Sequence, residues 1–200
     1  MVGIIDYGAG NLYSVQKAFA YLGITSSLVT QAGGLDHVNA VILPGVGAFG
    51  EAAHRLEITG LNTGLERWIG ENRPFLGICL GMQLLASSSE ESPSAQGLGV
   101  IQGGCRPVQG TRRIHMGWNR VSHQPDLLFY GIPEKESYFY FVHGYALPAH
   151  TEGVIAVSEY GAPFAAAFRA GDLCGVQFHP EKSGKNGLRF LENWRKTWDV

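Results

Sequence analysis

Phe75-Leu76-Gly77-Ile78-Cys79-Leu80-Gly81-Met82-Gln83-Leu84-Leu85 is the stretch on which the reading of this chain turns. Phe75-Leu76 opens a short apolar run, Gly77 and Gly81 bracket Cys79, and Met82 to Leu85 is helix-like. A strand that turns abruptly into a helix strains the residue at its corner, and glycines two positions to either side let the backbones approach closely. The pattern is a nucleophile elbow. It predicts a sulfur projecting into solvent, with the first helical N–H groups aimed at it. Those groups favour a thiolate and offer the Leu80 amide to an oxyanion.

A nucleophile needs a base, and the base needs an orienting group. Gly175-Val176-Gln177-Phe178-His179-Pro180-Glu181 supplies both. In an extended segment, His179 and Glu181 project to the same side, so the carboxylate could fix the imidazole tautomer while the other ring nitrogen faces Cys79. Taken singly, a cysteine in an apolar segment is more often a small buried hydrophobe, and a His-Pro-Glu a turn with a solvated carboxylate. Together, between strand-like runs, they favour a Cys79, His179, Glu181 triad.

Working outward, the first half alternates strands with amphipathic helices. Val2 to Asp6, Ser27 to Thr30 and Ala40 to Leu43 read as strands. Asn11 can cap a helix carrying Leu12, Val15, Ala18, Phe19 and Leu22 at helical spacing, and a second helix spans about Leu61 to Ile69. This order requires a parallel sheet covered by helices on both faces. In the second half, Ser137 to Val142, Val154 to Ser158, Ala165 to Arg169 and Cys174 to Phe178 are short strands between turn residues, suggesting antiparallel hairpins. A last helix, roughly Gly187 to Trp198, presents Leu188, Leu191, Trp194 and Trp198 along one face. The expected fold class is α/β, with a mostly parallel central sheet, flanking helices and added antiparallel strands.

The chain has 200 residues, of which 45% are hydrophobic and 16% charged, which suits one domain with a sizeable core. A net charge of −2 offers no broad cationic field, so neither nucleic acid nor an anionic membrane is expected as a partner. The N-terminus lacks the pattern of a signal peptide, and no apolar stretch is long enough to span a bilayer. The expected location is the cytoplasm. Cys79, Cys105 and Cys174 show no zinc spacing, and the seven histidines no paired helical spacing, so no metal and no cofactor are expected. Cys105 and Cys174 lie in strand-like runs and read as buried thiols.

Gly45-Val46-Gly47-Ala48-Phe49-Gly50 formally matches a dinucleotide-binding G-x-G-x-x-G. Pro44 precedes its first glycine, and no acidic residue ends a second strand about 20 residues on, where a ribose would need it. A glycine-rich turn beside the elbow has another use: its peptide groups can rotate and give an oxyanion a second hydrogen bond.

The elbow, the turn Pro44-Gly45-Val46-Gly47 and the segment Gln177 to Ser183 together resemble the class I, triad-type glutamine amidotransferases over nearly the whole chain. More narrowly, Asp6-Tyr7-Gly8-Ala9-Gly10-Asn11-Leu12, His115-Met116-Gly117-Trp118-Asn119 and Tyr140-Phe141-Val142-His143-Gly144-Tyr145 are similar to the glutaminase subunits of imidazole glycerol phosphate synthases. The resemblance implies a flavodoxin-like fold. It also implies hydrolysis of glutamine to glutamate through a glutamyl-thioester on Cys79. The ammonia would pass to a separate cyclase, a (β/α)₈ barrel for which this chain has no room, that makes imidazole glycerol phosphate and an aminoimidazole carboxamide ribotide in histidine biosynthesis.

Residue by residue, the resemblance places Val46, Gly47 and Leu80 in the oxyanion hole. Gln83, Glu91, His143, Gly144 and Tyr145 would bind glutamine, with Glu91 on its ammonium. Asn11, Trp118, Tyr140 and Lys182 would contact the cyclase. Gly144 departs from the family's usual Ser or Thr, which removes a hydroxyl but leaves a backbone N–H. Other readings of the same triad are a glutaminase serving a different synthase, a silent assembly subunit, and a peptidase or γ-glutamyl hydrolase on the same fold.

Overall fold

Val2 and Ile4 bury into one core with Ile42, Leu76 and Val176, while Ile5, Val41, Leu43 and Phe75 bury into a second. Strands buried on both faces belong inside a sheet that helices cover from both sides. The computed structural model describes residues 1–198. In chain order, the elements are β1 (Val2–Ile5), α1 (Leu12–Tyr21), β2 (Ser26–Val29), β3 (Ala40–Gly45), α2 (Phe49–Ile58), α3 (Leu61–Gly70), β4 (Phe75–Cys79) and α4 (Leu80–Gln83). There follow β5 (Ala86–Ser89), β6 (Ile101–Pro107), β7 (His115–Arg120), β8 (Ser122–His123), β9 (Tyr138–His143), β10 (Tyr145–Ala146), β11 (Val154–Tyr160), β12 (Ala162–Ala170), β13 (Leu173–Val176) and α5 (Gly184–Trp198).

The main sheet has the order β2-β1-β3-β4-β13-β12-β11-β8. It is parallel from β2 through β13 and antiparallel from β13 to β8. Helices α1 and α5 cover one face, where Phe19 stacks on Trp194 at 6.4 Å between ring centroids. Helices α2 and α3 cover the other through Phe49, Ala52, Leu56, Leu61, Leu65 and Trp68. A three-stranded sheet, β10-β6-β5, and a two-stranded ribbon, β7-β9, lie outside the main sheet. No helix among the described residues is long and apolar enough to cross a membrane.

Several elements depart from the sequence expectation. Helix α2 begins inside the glycine-rich turn, because Phe49, Ala52 and Leu56 share one buried face. The glycine spacing concealed that stripe. Helix α5 starts earlier than expected, at Gly184, and its buried positions are Gly187, Phe190, Leu191, Asn193 and Trp194, while Leu188 and Trp198 are only half-buried. The helix after the elbow is a single turn, since the buried run Leu84-Leu85-Ala86 leads directly into β5.

The sheet order also decides where a ligand could sit. The chain runs outward from β1 to β2 on one side and to β3, β4 and β13 on the other, and ligands of such sheets bind beyond the strands' carboxyl ends. The ends of β3, β4 and β13 are adjacent, with Gly45 opposite Cys79 and Val176 opposite Ile78.

Candidate functional site

Three neighbouring parallel strands deliver the three candidate parts of the site. From β3 comes the turn Val46-Gly47, from β4 comes Cys79, and from β13 come His179 and Glu181. Cys79 has φ 54° and ψ −108°, a left-handed φ that costs a non-glycine residue about 1–3 kcal/mol. Packing imposes the corner. A Cβ on Gly81 would collide with the Leu43 carbonyl, and one on Gly77 would lie 2.7 Å from the Gly81 carbonyl oxygen.

The sulfur does not stand in open solvent as the elbow pattern predicts: Cys79 is only 5% exposed. The ribbon strand β9 covers it, and the Cys79 thiol donates to the Val142 carbonyl at 3.7 Å. What remains open is a cavity of about 150 Å³ lined by Cys79, Val142 and every expected oxyanion and glutamine-binding residue: Val46, Gly47, Leu80, Gln83, Glu91, His143, Gly144 and Tyr145.

His179 and Glu181 are not on an extended segment either. Pro180–Lys182 forms a 3-10 turn, and this turn folds the carboxylate back onto the ring, so that His179 Nδ1 meets Glu181 Oε1 at 2.8 Å with both side chains 2% exposed. His179 Nε2 is buried without a hydrogen-bond partner among the described residues, yet lies close enough to Cys79 to feel its charge. Burial opposes a charge on His179, but the negative charge at Cys79 and the hydrogen bond and charge of Glu181 outweigh it and lift the imidazole to about 10. A charged imidazole held between Glu181 and the Cys79 sulfur is the arrangement this favours. His143 goes the other way: burial lowers it to about 3, so its ring is neutral.

Two expected binding residues have structural duties as well. Gln83 is buried, and its Nε2 donates to the Tyr145 carbonyl at 2.7 Å and to Gln177 Oε1 at 3.1 Å, leaving Oε1 for a ligand. Glu91 Oε2 accepts from the Phe49 N–H at 2.7 Å, at the start of α2, so one carboxylate oxygen is committed to the helix and the other is left for an ammonium. Gly144 lies where a Cβ would come within 3.2 Å of the Arg113 carbonyl oxygen, a tight fit for any side chain. Cys105 and Cys174 are fully buried thiols in β6 and β13, and burial pushes both up to about 12.

Asn11, Trp118, Tyr140 and Lys182 stay out of the cavity and gather beside it. Tyr140 receives the His179 N–H on its carbonyl at 2.9 Å and packs edge-on to Trp118 at 6.3 Å. Trp118 is 58% exposed, Lys182 is exposed, and Asn11 caps α1 next to the turn that carries Lys182.

Two buried residues were missed from sequence. Gln177 Nε2 donates to Cys79 Sγ at 3.6 Å, and His115 Nδ1 meets His143 Nε2 at 3.0 Å. The signal for Gln177 was an amide inside the apolar run Gly175-Val176-Gln177-Phe178. For His115 it was a histidine on the inward phase of β7, where Met116 and Trp118 take the outward one.

The family model for glutamine amidotransferase class-I matches residues 3–197. Imidazole glycerol phosphate synthase subunit HisH of Shouchella clausii is 43% identical, with 97% of each chain covered. The subunit of that name from Desulfitobacterium hafniense is 45% identical, covering 98% of this chain and 94% of its own. Among solved structures, a glutamine amidotransferase superposes with a TM-score of 0.77 at 20% identity, over 100% of this chain and 99% of its own. PurLQS from Thermotoga maritima does so with a TM-score of 0.76 at 18% identity, over 98% and 97%. At those identities the structures attest the fold alone. With its fold, its elbow and a sequence match over nearly its full length, this chain belongs to the class I glutamine amidotransferases, within the family of the HisH subunits of imidazole glycerol phosphate synthase.

Proposed function

We propose that this chain is the glutaminase subunit of an imidazole glycerol phosphate synthase, releasing ammonia from glutamine for a separate (β/α)₈-barrel cyclase in the cytoplasm. One observation carries the catalytic half of this reading. The nucleophile, a buried His-Glu pair and the glycine turn come from three adjacent strand ends, and the nucleophile and the turn line one cavity of about 150 Å³.

The Cys79 thiolate attacks the side-chain amide carbon of glutamine, and the carbonyl electrons move onto oxygen. The Leu80 N–H and a peptide N–H of the Val46-Gly47 turn hold that oxyanion. As the C–N bond breaks, the His179 imidazolium gives its proton to the departing nitrogen, so ammonia and a thioester result. Neutral His179 then takes a proton from water. The hydroxide adds to the thioester, the C–S bond breaks, and glutamate leaves with the thiolate restored. Glu181 holds the ring through Nδ1 throughout. Gln83, Glu91 and the backbone of His143, Gly144 and Tyr145 hold the substrate.

The exposed Trp118 and Lys182, with Tyr140 and Asn11, form an aromatic and polar surface beside the nucleophile that suits the cyclase interface. Release of ammonia away from a partner would waste it, so activity is expected to depend on the cyclase. The test is glutamate release by the chain alone and with a histidine-pathway cyclase and its ribotide ligand. Strong stimulation is expected, with a loss of about 10⁴-fold or more in Cys79→Ala. Equal rates with and without the cyclase would overturn the assignment of partner, and absence of activity in both would overturn the glutaminase.

A further inference from the structure

The buried amides beneath the nucleophile form a chain whose direction is fixed from one end. The Tyr145 carbonyl can only accept, so the Gln83 group facing it must be the NH₂. That nitrogen spends its second hydrogen on Gln177, so the Gln177 atom facing Gln83 must be the oxygen. The Gln177 NH₂ is thereby turned toward Cys79 Sγ, at 3.6 Å. The Tyr145 carbonyl is itself held in place: it also receives the His143 Nδ1–H at 2.9 Å. Gln177 is 0% exposed, so no water competes for either end of its amide, and an amide turned the other way would aim its oxygen at a sulfur that must carry negative charge.

We infer that Gln177 is a further catalytic residue, whose amide N–H stabilises the Cys79 thiolate, and that Gln83 is the positioning residue that keeps this N–H on the sulfur. In the thiol form, the sulfur's proton rests on the Val142 carbonyl. Once it is lost, that carbonyl repels the sulfur, and Gln177 supplies a charge-assisted hydrogen bond from the opposite partner set, one of the stronger kinds in a dry site. His179 provides the counter-charge and Gln177 the neutral donor. A neutral donor enlarges the thiolate fraction without adding a second cation, and the loss of nucleophilicity that goes with a lower pKa is only about half as steep as the pKa change.

This role rests on Cys79 being the attacking group of the proposed reaction, but alkylation reads the sulfur without glutamine, partner or turnover. The measurement is the rate of iodoacetamide alkylation of Cys79 against pH, with Cys79→Ala defining labelling at the other two cysteines. The titratable groups that face the sulfur are His179 with Glu181 behind it, Tyr7 from the loop after β1, His143 from β9, Glu91 from the cavity wall and the buried Cys105 of β6, and all of them stay in place in the variants. Gln177→Met keeps the volume and removes the donor, and is expected to move the half-maximal pH upward by about one unit. Gln83→Leu keeps Gln177 but frees it to turn, and is expected to move the profile in the same direction by less. Wild-type profiles in Gln177→Met would overturn the role. Should that variant not fold, Gln83→Leu decides alone, an upward shift supporting the proposal and an unmoved profile overturning it. A wild-type chain that alkylates normally but releases no glutamate beside its cyclase would instead count against the glutaminase reading.

Discussion

His179 and His143 are both buried, both belong to the same site, and are driven in opposite directions. The first follows β13 and leans on a carboxylate, with a cysteine facing its other nitrogen, and is lifted to about 10. The second ends β9 and leans on another imidazole and a carbonyl, and is lowered to about 3. Burial penalises both charges alike. What differs is the partner. A neutral His143 donates from Nδ1 to the Tyr145 carbonyl, so its Nε2 must accept, and His115 Nδ1 must donate to it. His115, also lowered by burial, then accepts on Nε2 from Asn119 Nδ2 at 3.1 Å. One region holds a proton beside Cys79, and the other holds none and pins the backbone of the cavity wall.

The largest effect should come from making the first region resemble the second. Glu181→Gln keeps the shape but removes the charge that fixes the His179 tautomer and supports its proton. A loss in cyclase-stimulated kcat of about 10³- to 10⁴-fold is expected, by analogy with the orienting carboxylate of other triads. A loss of less than tenfold would mean that position alone, without charge, suffices at His179.

The two regions also differ in how far sequence reveals them. Cys79 between Gly77 and Gly81, and His179 two residues before Glu181, are local patterns, and local patterns are readable. Even so, the His179–Glu181 contact does not arise as the spacing predicts, since a 3-10 turn and not a strand brings the pair together. The burial of Cys79 was not readable at all, because its cover is Val142, a contact between positions far apart in the chain. Gln177 and Cys79, or Gln83 and Tyr145, are likewise distant in sequence, and their hydrogen bonds exist only once β4, β13 and the ribbon have docked. Strands β1, β3 and β4 were legible because they are apolar on both faces, whereas β13, expected among antiparallel hairpins, pairs parallel with β4 and antiparallel with β12. Helix α2 was hidden because a glycine pattern overlaid its first turn.

The second prediction concerns acid. Between the ordinary histidine value near 6.5 and the His143 value of about 3, the unfolded chain binds a proton that the folded chain refuses. Stability therefore rises with pH across that window, is fully present above it, and is lost as pH falls, at up to about 1.4 kcal/mol per pH unit. Urea unfolding of the wild type between pH 7 and pH 5 should lose on the order of 2 kcal/mol more than that of His143→Phe, in which this titration is absent. Equal losses would mean that His143 takes up its proton in the folded state, and the contrast with His179 would collapse.

The smallest effect tests the link between the two imidazoles. His115 stacks on Phe141 at 5.0 Å and on Tyr160 at 4.4 Å between centroids, so His115→Phe preserves the packing and removes only the nitrogens. His143 Nε2 is then left as a buried acceptor with no donor, which costs about 1–2 kcal/mol. His115→Asn places an amide N–H near the lost Nδ1 donor and should recover part of that in the same urea titration. The order of the three proteins separates two explanations that geometry alone leaves joined. If His115→Phe is as stable as wild type, the pair is a packing contact whose 3.0 Å approach contributes nothing, and the neutrality of His143 then owes everything to burial. If Asn outperforms Phe despite filling less of the aromatic slot, the hydrogen bond outweighs the stacking, and the ribbon holds the cavity-lining backbone through a directed chain of donors.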